Sequence, residues 1–214
     1  MGKNRIENLY TLSNSEKELL KLPESKKKDS WDTHTFQDLK KNLKSHLYVE
    51  QENLCVYCKQ ELSKETRLTH IEHVIARDNN EKFCFALKNL ALSCRDCNSA
   101  KSAKYVYHNE RTEKSLSRYP HRSVRFLIPH PHYDNFDEHV SFFLDFYPIE
   151  VNQSSKGIKL IEICNLRRFG LMANKITAEF KNSAGGMEEK IYKLSAKSPE
   201  EALAGIDEII AELL

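Results

Sequence analysis

The chain has 214 residues, 40% of them hydrophobic and 30% charged, with a formal net charge of +2. That length suits one sizeable core, and no apolar run approaches the roughly 18 residues that a membrane span needs, so a spanning protein is not expected. No apolar run follows the polar residues 1–5, so no secretory leader is expected and a cytoplasmic location is.

Charge is unevenly spread. Residues 51–125 hold 14 Lys and Arg against 9 Asp and Glu, whereas 126–214 hold 9 against 14. The middle of the chain is the part suited to a polyanion, and the acidic part suits water or a basic partner.

In chain order, Ser13 with Glu16 makes a capping-box signature ahead of Leu19 and Leu20, which predicts a short helix over 13–22. Pro23 and the run Lys26-Lys27-Lys28 mark an exposed connection, solvated or touching DNA. Phe36, Leu39, Leu43 and Leu47 recur at spacings of three and four, predicting a helix over 31–51 opened by a buried Trp31. Strand character follows at 67–74 and 90–93 around a charged connection, 76–88, and a helix is read from Asn98 through Ala100, Ala103 and Tyr107. Later strands are predicted at 124–128, 140–151 and 158–163, the last two joined by the turn-rich stretch 152–157. Helical spacing returns from Asn165 to about 182, and Ser198-Pro199-Glu200-Glu201 opens a final helix. The fold class is α+β. Its divisions are a helical segment (1–53), a motif-bearing core (54–108) and a strand-plus-helix elaboration (109–214) that offers a partner-docking surface.

Six cysteines in a reducing compartment are not expected to form disulfides. Cys84 and Cys164 stand among apolar neighbours and read as small buried hydrophobes. Cys55-x-x-Cys58 and Cys94-x-x-Cys97 lie 35 residues apart, and two such turns brought together close a tetrahedral Zn²⁺ site with no open position. A redox dithiol would need one pair in a thioredoxin-like setting.

Between and beside these pairs stand His70-Ile71-Glu72-His73, then Asn89, then Asn98 and Lys101 directly after the second pair. This run resembles the HNH endonucleases, the ββα-metal nucleases, in their zinc-stapled variety, over about residues 54–104. The resemblance implies a ββα core and a specific assignment of residues. His73 matches the general base that takes a proton from the attacking water, a task suited to a side chain titrating near neutrality. Glu72 matches the acidic ligand of a catalytic Mg²⁺ or Mn²⁺, and Asn98 the second ligand, both hard oxygen donors. Asn89 matches the middle Asn that pins the loop behind the base. Lys101 is either a phosphate contact or an ordinary exposed helix lysine. His70 is either a metal or phosphate contact or a supporting histidine. Ala76 stands where many members have Pro, and the loop lacks their Gly pair, departures that bear on the loop's conformation more than on the chemistry.

The His-Ile-Glu-His form, the amphipathic helix before it and the segment Pro129-His130-Pro131-His132-Tyr133-Asp134 are together similar to HNH effector nucleases of bacterial anti-phage systems, of retron and Septu type. That likeness implies DNA as substrate and an ATPase subunit as partner. Arg122 and Arg125 are candidate backbone contacts to DNA. His130, His132 and Asp134 either form a second metal site or cap a strand beside the cleft. The alternative from another class is a zinc-stapled nucleic-acid-binding or adaptor module without catalysis, which needs the cysteines but not Glu72, His73 and Asn98.

Overall fold

Ser13 caps the first helix, α1 (Asn14–Leu19): its hydroxyl accepts from the Glu16 N–H, and the Glu16 carboxylate accepts from the Ser13 N–H. This reciprocal pair belongs to a computed structural model that describes residues 4–65, 67–108, 114–143 and 147–168. Three short 3₁₀ turns follow, Pro23–Lys26, Lys28–Asp32 and His34–Phe36. They delay the next helix, α2, to Gln37–Glu50, because Thr33 adopts an extended conformation and breaks the path from Trp31. Trp31 is buried as expected, but outside the helix. The lysine run is not wholly solvated, since Lys28 pairs with Asp78 at 3.0 Å.

Strands β1 (Thr69–His73) and β2 (Leu90–Cys94) pair antiparallel, with Thr69 opposite Cys94 and His73 opposite Leu90. Helix α3 (Arg95–Lys101) follows without a break, starting earlier than Asn98 because the Cys94 sulfur caps it by accepting from the Cys97 N–H. It ends at Ser102, whose φ of 46° lies in the left-handed region, so Ala103 and Tyr107 fall beyond it. Tyr107 instead forms a single bridge with Phe126. Residues 124–128 are not a strand: Ser123–Arg125 is a 3₁₀ turn. Buried Phe126 and Ile128 alternate with exposed Arg125 and half-buried Leu127 and so imitate a strand, but one bridge is not a ladder.

The predicted strand over 140–151 is a hairpin, β3 (Val140–Phe143) with β4 (Tyr147–Glu150). The strand predicted at 158–163 is helix α4 (Ser155–Ile163). The Ser154 hydroxyl caps it by accepting from the Gly157 N–H, and buried Gly157, Leu160, Ile161 and Cys164 fall at helical spacing. The isoleucines favour a strand locally, and the cap with that burial period outweighs them. Gly157 lets α4 rest on the chain at His139, since a Cβ there would lie 2.0 Å from the His139 carbonyl oxygen. The helix predicted over 165–182 lies mostly, and the one from 198 wholly, outside the described residues.

One apolar core joins these parts, running from Ile6 through Leu39, Leu43 and Leu47 of α2 and Leu90 and Leu92 of β2 to Leu166. No described helix is long and apolar enough to cross a membrane.

His130, His132 and Asp134 belong to this packing. The Tyr119 hydroxyl lies 2.8 Å from His130 Nε2, while His130 Nδ1 accepts from the His132 N–H. His132 Nε2 reaches the Leu90 carbonyl at 3.0 Å, tying the segment to β2. Asp134 accepts from the His130 N–H and from Lys156. These bonds occupy the donors, and among the described residues the three do not gather as a metal site.

Burial holds His130 well below the ordinary imidazole range and pushes His132 down to about 4. Both are neutral when folded, and an unfolded histidine takes up a proton near 6.5, so their contribution to stability is whole above that pH and falls as pH drops toward 4. His132 alone accounts for about 2 kcal/mol lost at pH 5. Thermal melts should show a lower Tm at pH 5 than at pH 7.5, and His132→Gln should shrink that difference.

Candidate active site

Four sulfurs gather where the hairpin begins. Those of Cys55, Cys58, Cys94 and Cys97 all lie within 4.8 Å of one another, and those of Cys58 and Cys94 are 3.9 Å apart. Tetrahedral bonds of about 2.3 Å give edges of about 3.8 Å, so the spacing fits one thiolate-bound ion. The turn 55–60 carries the first pair, with Lys59 at a φ of 55°, and the Val56 N–H bonds to the Leu92 carbonyl of β2. Two N–H groups and one guanidinium point at sulfur: Cys94 N–H to Cys55, Cys97 N–H to Cys94, and Arg168 Nη2 to Cys97 at 3.1 Å. Each favours thiolate over thiol. Arg168 has no sequence signal that could have linked it to the cysteines. Cys84 and Cys164 are buried apart from the cluster, as expected.

At the other end of the hairpin, Asn89 is fully buried and uses both ends of its amide. Its Oδ1 accepts from the Ile75 N–H at 2.7 Å, and its Nδ2 donates to the carbonyls of Ile75 and Phe83. The connection 74–89 is thereby fastened without the family's Pro and Gly pair, and it delivers the Cys84 carbonyl to His73 Nε2 at 2.9 Å. A carbonyl only accepts, so Nε2 carries the proton and Nδ1 keeps its lone pair. Burial pushes His73 down to about 3, with Arg77 and Lys101 adding in the same direction and the Cys84 carbonyl opposing. The imidazole is neutral at neutral pH. The Trp31 ring packs edge-on against it, with centroids 4.4 Å apart.

Glu72 and His70 share the opposite face of β1. Glu72 Oε1 receives the Lys101 ammonium at 2.6 Å and the Tyr57 hydroxyl at 3.2 Å. Lys101 is completely buried and also donates to the His73 carbonyl. This overturns both readings of Lys101, for it is neither an exposed helix lysine nor available to a phosphate. Its place one turn beyond Asn98 on α3 turns it inward, against the carboxylate. His70 Nδ1 faces Asn98 Nδ2 at 2.8 Å, while His70 Nε2 lies 3.1 Å from the Arg67 carbonyl. His70 therefore donates to the carbonyl and accepts from the amide, holding Asn98 with its nitrogen toward the ring.

His70, Glu72, His73 and Asn98 line one cleft of about 1090 Å³. Its other wall is α2, through Lys41, Lys44 and Tyr48, with Trp31, Lys64 and Arg77 at the margins. Apart from Trp31, these were not singled out from the sequence, although Lys41, Lys44 and Tyr48 at spacings of three and four trace the polar face of α2 opposite its leucines. Arg122 and Arg125 are exposed on their 3₁₀ turn and do not line the cleft.

The sulfur cluster, the hairpin, Asn89 and α3 all lie inside residues 55–104, which match the family HNH endonuclease. That segment has ββα form within an α+β chain and is similar to the HNH endonucleases over those residues. The chain is also similar to Retron Vc95 putative HNH endonuclease of Vibrio cholerae serotype O1 biovar El Tor, at 37% identity over 62 residues. The match covers 28% of this chain and 30% of that protein, so it spans under a third of the relative's own length.

The Glu72–Lys101 pair is withdrawn from water on both sides, and removing one partner of such a pair typically costs about 3–5 kcal/mol. Lys101→Met should lower the urea midpoint accordingly, and Glu72→Gln with Lys101→Met should recover part of the loss.

Proposed function

We propose that the protein is a metal-dependent endonuclease that hydrolyses DNA phosphodiester bonds. The observation that carries the proposal is His73, a neutral imidazole with Nε2–H tied to the Cys84 carbonyl, lining one cleft with Glu72 and Asn98. Nδ1 accepts the proton of the water that attacks phosphorus. Asn89 acts through the loop, keeping the Cys84 carbonyl and hence the ring in place. Glu72 Oε2 and Asn98 Oδ1 would hold Mg²⁺ or Mn²⁺, and His70 would keep the Asn98 amide oriented. When bound, such an ion neutralises the crowded phosphate and stabilises the departing 3′ oxygen. Lys101 already offsets much of the Glu72 charge, so these two donors are a weak site until substrate phosphate joins them.

The sulfur cluster would hold a structural Zn²⁺, since four thiolates leave no position open. The similarity to a retron protein supports a role in anti-phage defence. There the nuclease would act with an ATPase subunit docked on residues 109–214, a division distinct from the helical segment 1–53 and the core 54–108. A second reading is a zinc-stapled nucleic-acid-binding module without turnover. One observation favours it: the Lys101 ammonium occupies a carboxylate oxygen that a catalytic ion would otherwise use.

His73→Ala should lower cleavage of supercoiled plasmid in Mg²⁺ by about 10²–10⁴-fold while metal content and Tm hold. Undiminished cutting removes His73 from the reaction, and DNA binding without turnover in the parent protein supports the second reading. Elemental analysis should find one zinc per chain, and Cys94→Ser should lose it together with the cooperative melt. A purified, folded protein free of zinc would overturn the structural-site assignment.

A further inference from the structure

We propose that α2, which lies outside the matched segment, forms a track for a nucleic-acid backbone, with Lys41 and Lys64 gripping phosphates that flank the bond presented to His73. The placement of that bond rests on the nuclease reading; the track itself rests on the charges of the cleft.

Those charges do not cancel evenly. Asp32 is held by Arg77 at 3.0 Å, Asp78 by Lys28 at 3.0 Å and Glu72 by Lys101 at 2.6 Å. With these acids taken, Lys40, Lys41, Lys44 and Lys64 line the cleft against Asp38 alone. Lys40 donates to the Trp31 carbonyl and Lys44 to the Thr69 carbonyl, bonds that leave each ammonium its charge and two further protons. Lys41 and Lys64 are exposed and make no ion pair with the described residues. Lysines on a convex surface are merely solvated, whereas here they converge on the cleft that holds the imidazole, and a concave wall of one sign concentrates the opposite charge.

The helix explains why its own lysines converge. Leu39, Leu43 and Leu47 commit one side of α2 to the core, so Lys41, Lys44, Ser45 and Tyr48 must take the side facing β1. Gln51 then fixes the helix against the hairpin: its Oε1 accepts from the Leu92 N–H and its Nε2 donates to the Leu92 carbonyl. The track is thus held in register with the strand that carries Glu72 and His73. Regularly repeated phosphates are the polyanion that spaced point charges on a rigid wall suit, and lysine contacts of this kind position a backbone without reading its bases.

The test measures binding, with full-length chain carrying His73→Ala so that probes stay intact. Labelled single-stranded DNA, duplex DNA and RNA oligonucleotides are titrated over a range of salt, with polyglutamate as competitor. Lys41→Gln with Lys64→Gln should weaken the best-bound probe by ~10-fold or more and reduce the slope of log affinity against log salt by about one per lysine. Lys17→Gln, at an exposed position of α1 away from the cleft, should change neither. An unchanged slope in the double variant, or polyglutamate displacing the probe as well as nucleic acid does, overturns the track. Circular dichroism and zinc content establish that the variants are folded. Lysine-dependent binding in a protein that never cuts would sink the nuclease reading and keep the track. Cutting with lysine-independent binding would do the reverse.

Discussion

Cys94 is the last residue of one strand, the cap of the following helix and a member of the sulfur cluster at once. The rest of the site depends on that coincidence. A ribbon of two five-residue strands does not hold itself together in water. This one is gripped at its open end by four sulfurs and at its closed end by the buried amide of Asn89. Between the two clamps, β1 is a five-residue strand paired along its length, so Glu72 and His73 have fixed directions. Helix α3 leaves β2 at an angle set by the sulfur cap, which carries Asn98 to His70.

Charge and burial also converge on His73. Lys101 gives its ammonium to Glu72 and the His73 carbonyl, so a buried cation lies close to an imidazole that burial already keeps neutral. Burial and that neighbouring charge act in the same direction on His73. The Cys84 carbonyl then selects the tautomer. The loop that presents it is fastened by the side-chain hydrogen bonds of Asn89, with alanine at position 76.

What the sequence revealed and what it hid follow a physical pattern. The sulfur cluster and the hairpin were legible because metal ligation and strand pairing impose short, rigid spacings. The capping box at Ser13 was legible for the same reason. Lys101 was misread because nothing local distinguishes a buried lysine from a solvated one; its partner lies 29 positions away on another element. The strand predicted at 158–163 failed because isoleucine content outweighed the burial period and the Ser154 cap in that reading. Residues 124–128 failed because alternating burial does not guarantee a partner strand. The lysines of α2 were visible as a polar face, but which surface that face meets is a tertiary fact. Arg122 and Arg125 show the reverse: basic residues near the motif in sequence, displaced from the cleft in space.

The Gln51 clamp bears on protein engineering. Both polar ends of that side chain are consumed by the backbone of Leu92, and the leucines beside it on α2 cover the same hairpin. Excising residues 55–104 as a portable module would strip that cover, leave the Leu92 N–H without its Gln51 partner and the Leu92 carbonyl with Val56 alone, and remove a wall of the groove. Any chimera intended to carry this domain elsewhere has to begin upstream of Gln37, because the family boundary and the boundary of the folded unit do not coincide.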